Sequence, residues 1–218
     1  LGHTPFESVQ YDPATMFAQD KILTIDKVGH AWVMDISGPN PTFTPAGDVG
    51  SNRAWSDLTV LANGTVLLTG GSNGLGPSGL GNTETETNYA QIWDPATNQW
   101  TTETSTAAIG RFYHSNALLL PDGTVLATGG GAPGPLTNLN SEIYTPAYLL
   151  NDDGSLRTDR PVITHAPSML QQGQTFLVTL DNADVIQDLE LIKFGNSTHS
   201  YNAEQRAFGL TFTHVDAH

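Results

Sequence analysis

The chain has 218 residues, no cysteine, and a formal net charge of −14 from 8 basic and 22 acidic side chains. Without cysteine, the chain contains no disulfide, no cysteine-ligated metal site and no catalytic thiol. The acidic balance argues against nucleic acid and anionic membranes as partners, because phosphate binding requires lysine and arginine. No apolar run approaches the roughly 20 residues that span a bilayer. Residues 1–6 lack the basic start and apolar stretch of a signal peptide, so we expect a mature, processed or excised chain.

Short runs rich in Val, Ile, Leu and Thr alternate with clusters of Gly, Pro, Asn and Asp. This pattern predicts an all-β protein with many tight turns. The first predicted strands cover residues 21–26 and 31–36. Residues 58–71 are then repeated at 117–130 with the same spacing throughout: two apolar strands joined by Asn-Gly or Asp-Gly, and a Gly-Gly pair at the end of the second strand. Asn-Gly and Asp-Gly between apolar strands are the strongest short-range hairpin signals.

Each copy continues with a polar loop and a strand that ends in an aromatic residue, at 89–95 and 141–146. Residues 21–36 resemble a weaker, earlier copy of the same unit. Four strands per unit, a double glycine and a period near ~50 residues indicate kelch-type blades of a β-propeller. A meandering β-sandwich is the alternative architecture.

The pattern changes near residue 159, where the double glycines stop and short strands are predicted at 161–164, 173–180 and 189–194. We therefore predict about three kelch propeller blades over 1–158 and the N-terminal part of an immunoglobulin-like β-sandwich over 159–218. A closed propeller needs at least ~4 blades, and an immunoglobulin-like sandwich needs about 100 residues. Both domains are thus expected to be incomplete, as in a fragment or one chain of a processed protein.

Two of the seven histidines stand in notable surroundings. His114 follows Tyr113 at the start of a predicted strand, and His199 lies in a polar loop after an apolar strand. Each one alone is compatible with a structural, hydrogen-bonded histidine. The other histidines are His3, His30, His165, His214 and His218.

These two histidines belong to motifs that resemble a known family. Arg111-x-Tyr113-His114-Ser115, followed by Leu-Leu-Leu-Pro-Asp-Gly at 118–123 and Gly-Gly-Gly at 129–131, is similar to the copper-binding blade of the galactose oxidase family. The pattern Phe-Gly-x-x-Thr-His-x-x-Asn-x-x-Gln-Arg at 194–206 is similar to the loop of that family's C-terminal domain which reaches back to the metal. The resemblance covers nearly the whole chain, as the C-terminal part of a longer copper radical oxidase of the galactose or glyoxal oxidase type.

The resemblance implies a mononuclear Cu2+ centre. His114 and His199 match the equatorial imidazoles of the family, and Tyr113 matches its axial phenol and catalytic base. Imidazole nitrogen and phenol oxygen are ligands that suit Cu(II). Successive strand residues point to opposite faces. Tyr113 and His114 can therefore share one metal only if the strand bends or has not yet begun at this point.

The implied activity is the oxidation of a small alcohol, aldehyde or sugar with O2 to give H2O2, by a secreted or cell-surface enzyme. The family performs this chemistry with a radical on a tyrosine cross-linked to a cysteine, and both residues lie upstream of the region that resembles this chain. Because the chain has no cysteine, we expect the Tyr-Cys cofactor on an upstream segment of the same protein or on a companion chain. The alternative is a non-catalytic scaffold that binds carbohydrate or protein.

Two further residues are candidates for contact with the substrate. Trp55 occupies the point in the preceding blade that corresponds to the Tyr113-His114 motif, so it could face the substrate mouth. A tryptophan of the hydrophobic core is an equally good interpretation. Asn88 precedes another strand on the same predicted side.

Overall fold

The structure is a computed structural model and describes residues 4–134, 136–182 and 186–215. Apart from two short 3-10 turns at Thr83–Thr85 and Ala147–Leu149, its regular elements are strands, so the all-β prediction is confirmed. No helix in these residues is long and apolar enough to cross a membrane. The strands are β1 (Ala14–Ala18), β2 (Lys21–Ile25), β3 (His30–Asp35), β4 (Thr42–Asp48), β5 (Ala54–Val60), β6 (Val66–Ser72), β7 (Tyr89–Asp94), β8 (Gln99–Thr106), β9 (Ser115–Leu119), β10 (Val125–Gly129), β11 (Ser141–Tyr144), β12 (Ile163–His165), β13 (Thr179–Leu180), β14 (Glu190–Lys193), β15 (Ser197–Thr198) and β16 (Tyr201–Gly209).

The first eleven strands form three antiparallel meanders in chain order. They are β1-β2-β3-β4, β5-β6-β7-β8 and β9-β10-β11. The repeated hairpins join β5 to β6 and β9 to β10, with Gly64 at φ +79° and Gly123 at φ +89°. In these turns the side chains of Asn63 and Asp122 accept hydrogen bonds from the residue two positions on. The sequence repeat therefore corresponds to a structural repeat, because the same turn chemistry closes both hairpins.

The second meander lies between the other two and supplies apolar side chains to both of its faces. Along β6, Val66 and Leu68 join a core shared with the first meander, whereas Leu67 joins a core shared with the third. This alternation follows from the two-residue period of a strand. It leaves β5 buried at every position.

Strands from the C-terminal region complete the first sheet. β16 pairs in parallel with β1 and antiparallel with β14 and β15, so the sheet order is β14-β16-β1-β2-β3-β4 with β15 beside β16. β12 and β13 form a separate two-stranded ladder. The region predicted to start a second domain at residue 159 thus contributes strands to the sheet of the first.

Side-chain amides fasten β16 onto β5. The Gln205 amide accepts a hydrogen bond from the backbone N–H of Val60 at 2.7 Å and donates one to its carbonyl at 2.9 Å. Asn202 donates to the carbonyl of Leu58 at 3.2 Å. Gln205 and Asn202 are both buried. The Gln205 amide therefore gives Val60 the donor and acceptor that a neighbouring strand would give it.

We expect Gln205→Ala to lower the free energy of unfolding by about 2 to 4 kcal/mol, because it leaves the N–H and C=O of Val60 buried and unpaired. Chemical denaturation of the purified protein measures this. Gln172→Ala, at an exposed glutamine, serves as the control and should change stability little. Equal stabilities for the two variants would contradict the docking role of Gln205.

Candidate metal centre

Tyr113 and His114 lie in a turn, and β9 begins only at Ser115. His114 has φ +64°, and the Ser115 N–H donates to the carbonyl of Phe112 at 2.8 Å. The left-handed backbone turns two consecutive side chains to the same side, where their rings stack with centroids 3.7 Å apart and planes 27° apart. Tyr113 and His114 must precede the strand if they are to share one metal without a bend in it, and β9 does begin after them.

His199 stands at the tip of a two-residue hairpin between β15 and β16. His199 has φ 52° and Ser200 has φ 67°, which is the pattern of a type I′ turn. Such turns strongly favour Asn-Gly, so a His-Ser pair there is strained. Positive φ is found at six non-glycine residues of the described chain, and four of these lie in this neighbourhood: Trp55, His114, His199 and Ser200. Backbone strain of this kind is concentrated at functional sites in proteins.

The side chains of the two turns meet. The Nε2 atoms of His114 and His199 are 3.0 Å apart, and the Tyr113 hydroxyl lies 3.3 Å from Nε2 of His199. Both histidines are exposed and Tyr113 is half-buried. The structure thus brings together the three residues that the sequence motifs singled out, at a point open to solvent.

The donor set fits copper. Two nitrogen ligands about 2.0–2.1 Å from one metal, at the right angle of a tetragonal site, lie about 2.9 Å from each other. The observed Nε2–Nε2 separation of 3.0 Å agrees with this value. Among the described residues, no group of three or more His, Cys, Asp or Glu side chains is placed to hold a metal ion. Metal binding at this point would therefore use the Tyr113 phenol beside the two imidazoles.

Thr198 orients the second imidazole. Its hydroxyl lies 2.7 Å from Nδ1 of His199. A hydrogen bond at Nδ1 leaves Nε2 free to face His114, which is how ligating histidines are commonly held. The sequence motif contains Thr198, but its role is apparent only from this distance.

Trp55 borders the cluster. Its indole packs edge-on against the Tyr113 ring with centroids 4.7 Å apart, and its Nε1–H donates to the carbonyl of Gly79 at 3.1 Å. Trp55 is only 2 % exposed, and it is not a member of either hydrophobic core. Its other face meets Tyr11, with ring centroids 5.7 Å apart. Sequence reasoning missed Tyr11, because it lies in an N-terminal segment without a motif.

Asn88 and the remaining histidines are placed elsewhere. Asn88 donates to Glu86 at 2.7 Å, and no hydrogen bond within the described residues joins it to the cluster. His30 lies beside Asp26, while His165 is exposed on β12 and the exposed His214 packs against Phe212. His3 and His218 lie outside the described residues.

A buried carboxylate lies behind the two turns. Asp57 on β5 accepts a hydrogen bond from the Ser115 hydroxyl at 2.9 Å and from the Ser197 hydroxyl at 2.7 Å. All three residues are buried. Burial raises the pKa of the Asp57 carboxyl to about 7, and the two hydroxyls partly oppose that shift. Sequence reasoning missed Asp57, since an aspartate inside a strand carries no recognisable signal.

We expect stability to fall as the pH rises from about 4 to about 7. The folded state keeps the Asp57 proton in this range, whereas the unfolded carboxyl has already lost it, so the stabilisation present at low pH disappears as the pH passes the folded pKa. A shift of this size corresponds to roughly 4 kcal/mol.

Asp57→Asn should remove most of this slope, as measured by denaturant unfolding at a series of pH values. Asp12, whose pKa is raised to about 6 mainly by burial, contributes to both proteins and cancels in the comparison. Parallel pH profiles for the two proteins would contradict the prediction.

Comparison with known proteins shows what this chain is similar to. Residues 160–218 match the family described as "Galactose oxidase-like, Early set domain". The chain is 30% identical over 209 residues to galactose oxidase of Gibberella zeae. The matched region covers 94% of this chain and 28% of that protein. It is 30% identical over 191 residues to the aldehyde oxidase GLOX of Vitis pseudoreticulata, covering 80% of this chain and 35% of that protein.

The chain is therefore homologous to galactose oxidase and to glyoxal oxidases, and the resemblance seen in the sequence is confirmed. A solved structure of a fungal alcohol oxidase of the AA5 family, in complex with copper, has a similar fold, with a TM-score of 0.82 and 24% sequence identity over 92% of this chain and 44% of that one. This chain spans only 28% and 35% of the lengths of the two curated relatives.

Proposed function

We propose that this chain is part of a copper radical oxidase that converts a primary alcohol to an aldehyde, or a hydrated aldehyde to an acid, while O2 is reduced to H2O2. The observation that carries the proposal is that His114 Nε2 and the Tyr113 hydroxyl both lie beside His199 Nε2, at 3.0 Å and 3.3 Å. The homology to galactose oxidase and to an aldehyde oxidase supports it.

Each residue of the site has a distinct role in this proposal. His114 and His199 would hold Cu2+ through Nε2, and the Thr198 hydroxyl keeps Nδ1 of His199 occupied. Tyr113 would be the weak third ligand and the general base, since its oxygen in the phenolate form can accept the proton of the substrate hydroxyl and become a neutral phenol. Copper bound there would supply a redox centre and would polarise the substrate oxygen. Trp55 is buried and packs against the Tyr113 ring, so it would act on the substrate through the position of that ring.

A second part of the protein is needed in this proposal. The chain has no cysteine, so the Tyr-Cys cofactor lies on an upstream segment or a companion chain. Large apolar side chains stand in solvent from residue 139 onward, among them Leu139, Met169 and Val215. Because exposed apolar surface is costly, a further segment that covers it is consistent with the proposed arrangement.

The proposed domains are kelch-type blades over 1–158 and the start of an immunoglobulin-like sandwich over 159–218. Three meanders in sequence order support the first, and the family match that begins at residue 160 supports the second. We propose that the complete protein acts outside the cell, on small alcohols, aldehydes or sugars.

Native mass spectrometry of the protein purified from its natural source tests the whole proposal. We expect a species heavier than this 23.3 kDa chain that carries one copper ion. Denaturing conditions show whether the upstream segment is continuous with the chain or a separate polypeptide. A lone chain of this mass without metal would instead favour the non-catalytic scaffold.

Replacing both imidazoles tests the site itself. In the purified protein, the double variant His114→Ala, His199→Ala should lose stoichiometric copper and should form no H2O2 from a panel of primary alcohols, sugars and aldehydes. The matched control is His30→Ala, His165→Ala, which removes two histidines distant from the cluster and should retain both properties. Full copper content in the first double variant would show that the ligands are misassigned.

A further inference from the structure

The two turns of the candidate metal centre come from distant parts of the chain. His114 and His199 are 85 residues apart in sequence. One turn precedes β9 in the third meander, and the other joins β15 to β16 in the sheet of the first. Their imidazoles are exposed to solvent and contact mainly Tyr113 and each other, so the rings are not enclosed by surrounding core side chains. Contacts of the neighbouring buried residues must therefore fix the position of one turn relative to the other.

We propose that Asp57 is a positioning residue that joins the two turns through the hydroxyls of Ser115 and Ser197 and thereby sets the separation of the two imidazoles. This inference rests on the proposed copper site. Asp57 does not touch the rings, so its role is not that of a ligand or a catalytic residue.

The connections are short on both sides. Ser115 directly follows His114, and Ser197 lies two residues before His199. Oδ2 of Asp57 accepts a hydrogen bond from the Ser115 hydroxyl, and Oδ1 accepts one from the Ser197 hydroxyl. A single side chain is thus bonded to two segments that lie 58 and 140 residues further along the chain. Both hydrogen bonds are buried, where water does not compete for either partner.

The support of Asp57 is itself rigid. β5 is buried at every position and is paired with β6 from Ala54 to Val60. β16 is fastened to the same strand by the hydrogen bonds of Asn202 and Gln205. Asp57 therefore ties both turns to β5, which is buried along its whole length.

The energetics argue against a role in stability alone. Asp57 has no ion-pair partner among the described residues, and a buried carboxyl without a cation is costly. An apolar side chain of similar size would pack in a core strand without that cost. Two hydroxyls from the two turns that carry the imidazoles give a reason for an acidic side chain at this position.

Copper affinity in the purified full-length protein tests the proposal. Removal of a residue that positions ligands typically weakens metal binding 10- to 100-fold, so we expect this loss for Asp57→Ala when the stripped protein is titrated with Cu2+. The Cu2+ electron paramagnetic resonance spectrum should broaden, because the two nitrogens no longer have one fixed separation. Asp57→Asn should recover most of the affinity, since its amide can accept from one serine and donate to the other.

The control for lost stability is Val125→Ala, which creates a cavity in the core of the third meander. It should lower the unfolding free energy and leave copper affinity and spectrum unchanged. If Asp57→Ala is hard to fold, Ser115→Ala and Ser197→Ala each remove one of the two bonds, and each should weaken copper binding. Unchanged copper affinity in a folded Asp57→Ala protein, or an equal loss in Val125→Ala, would overturn the positioning role.

The inference can also be separated from the copper assignment. Crystal structures of the metal-free proteins should show the two imidazoles close together in the wild type and apart in Asp57→Ala. If the wild type binds no copper but the structures show this difference, the proposed function fails and the positioning role stands. If the imidazoles keep their separation in metal-free Asp57→Ala, the positioning role is wrong whatever the copper content.

Discussion

The docking of β16 onto β5 is the interaction on which the rest of the structure depends. The side-chain amide of Gln205 pairs with both backbone groups of Val60, in a buried setting where an unpaired N–H or C=O would be costly. This contact fixes the C-terminal region against the centre of the molecule. It also completes the first sheet, since β16 lies between β1 and β14. Without it, the hairpin that carries His199 would have no defined place relative to His114.

The candidate site consists of two turns with strained backbones that are held against a buried strand, β5. The two turns hold non-glycine residues at positive φ, which single residues adopt only when their surroundings enforce it. At His114 the strain lets consecutive side chains face the same way, and at His199 it turns an imidazole out of a tight hairpin. The enclosed strand beneath them and the buried hydrogen bonds to Asp57 offset that strain. The geometry of the three donor atoms thus follows from backbone conformation as much as from side-chain identity.

Local chemistry explains which features the sequence predicts well. The hairpins at Gly64 and Gly123 follow from Asn-Gly and Asp-Gly turns, and the Tyr113-His114 and His199 motifs follow from a family resemblance. The parallel pairing of β1 with β16 has no such signal, because its register depends on contacts between remote segments. Asp57 is likewise invisible to pattern, since its partners lie 58 and 140 residues away. Trp55 could be either a core residue or a residue at the substrate mouth from its sequence. In the structure it is buried, as a core residue would be, and it packs against the Tyr113 ring.

The pairing of β1 with β16 has a consequence for the order in which the protein forms. β1 is the first strand described and β16 the last, and Met16 pairs with Arg206, so their ladder closes a very long loop. Contacts of large sequence separation form late, because the entropy of loop closure opposes them until other structure is present. The His199 hairpin therefore arrives after the sheets that receive it, and a partly made chain presents His114 without its partner. We therefore expect the pairing of the two imidazoles to come late in the folding of this part of the protein.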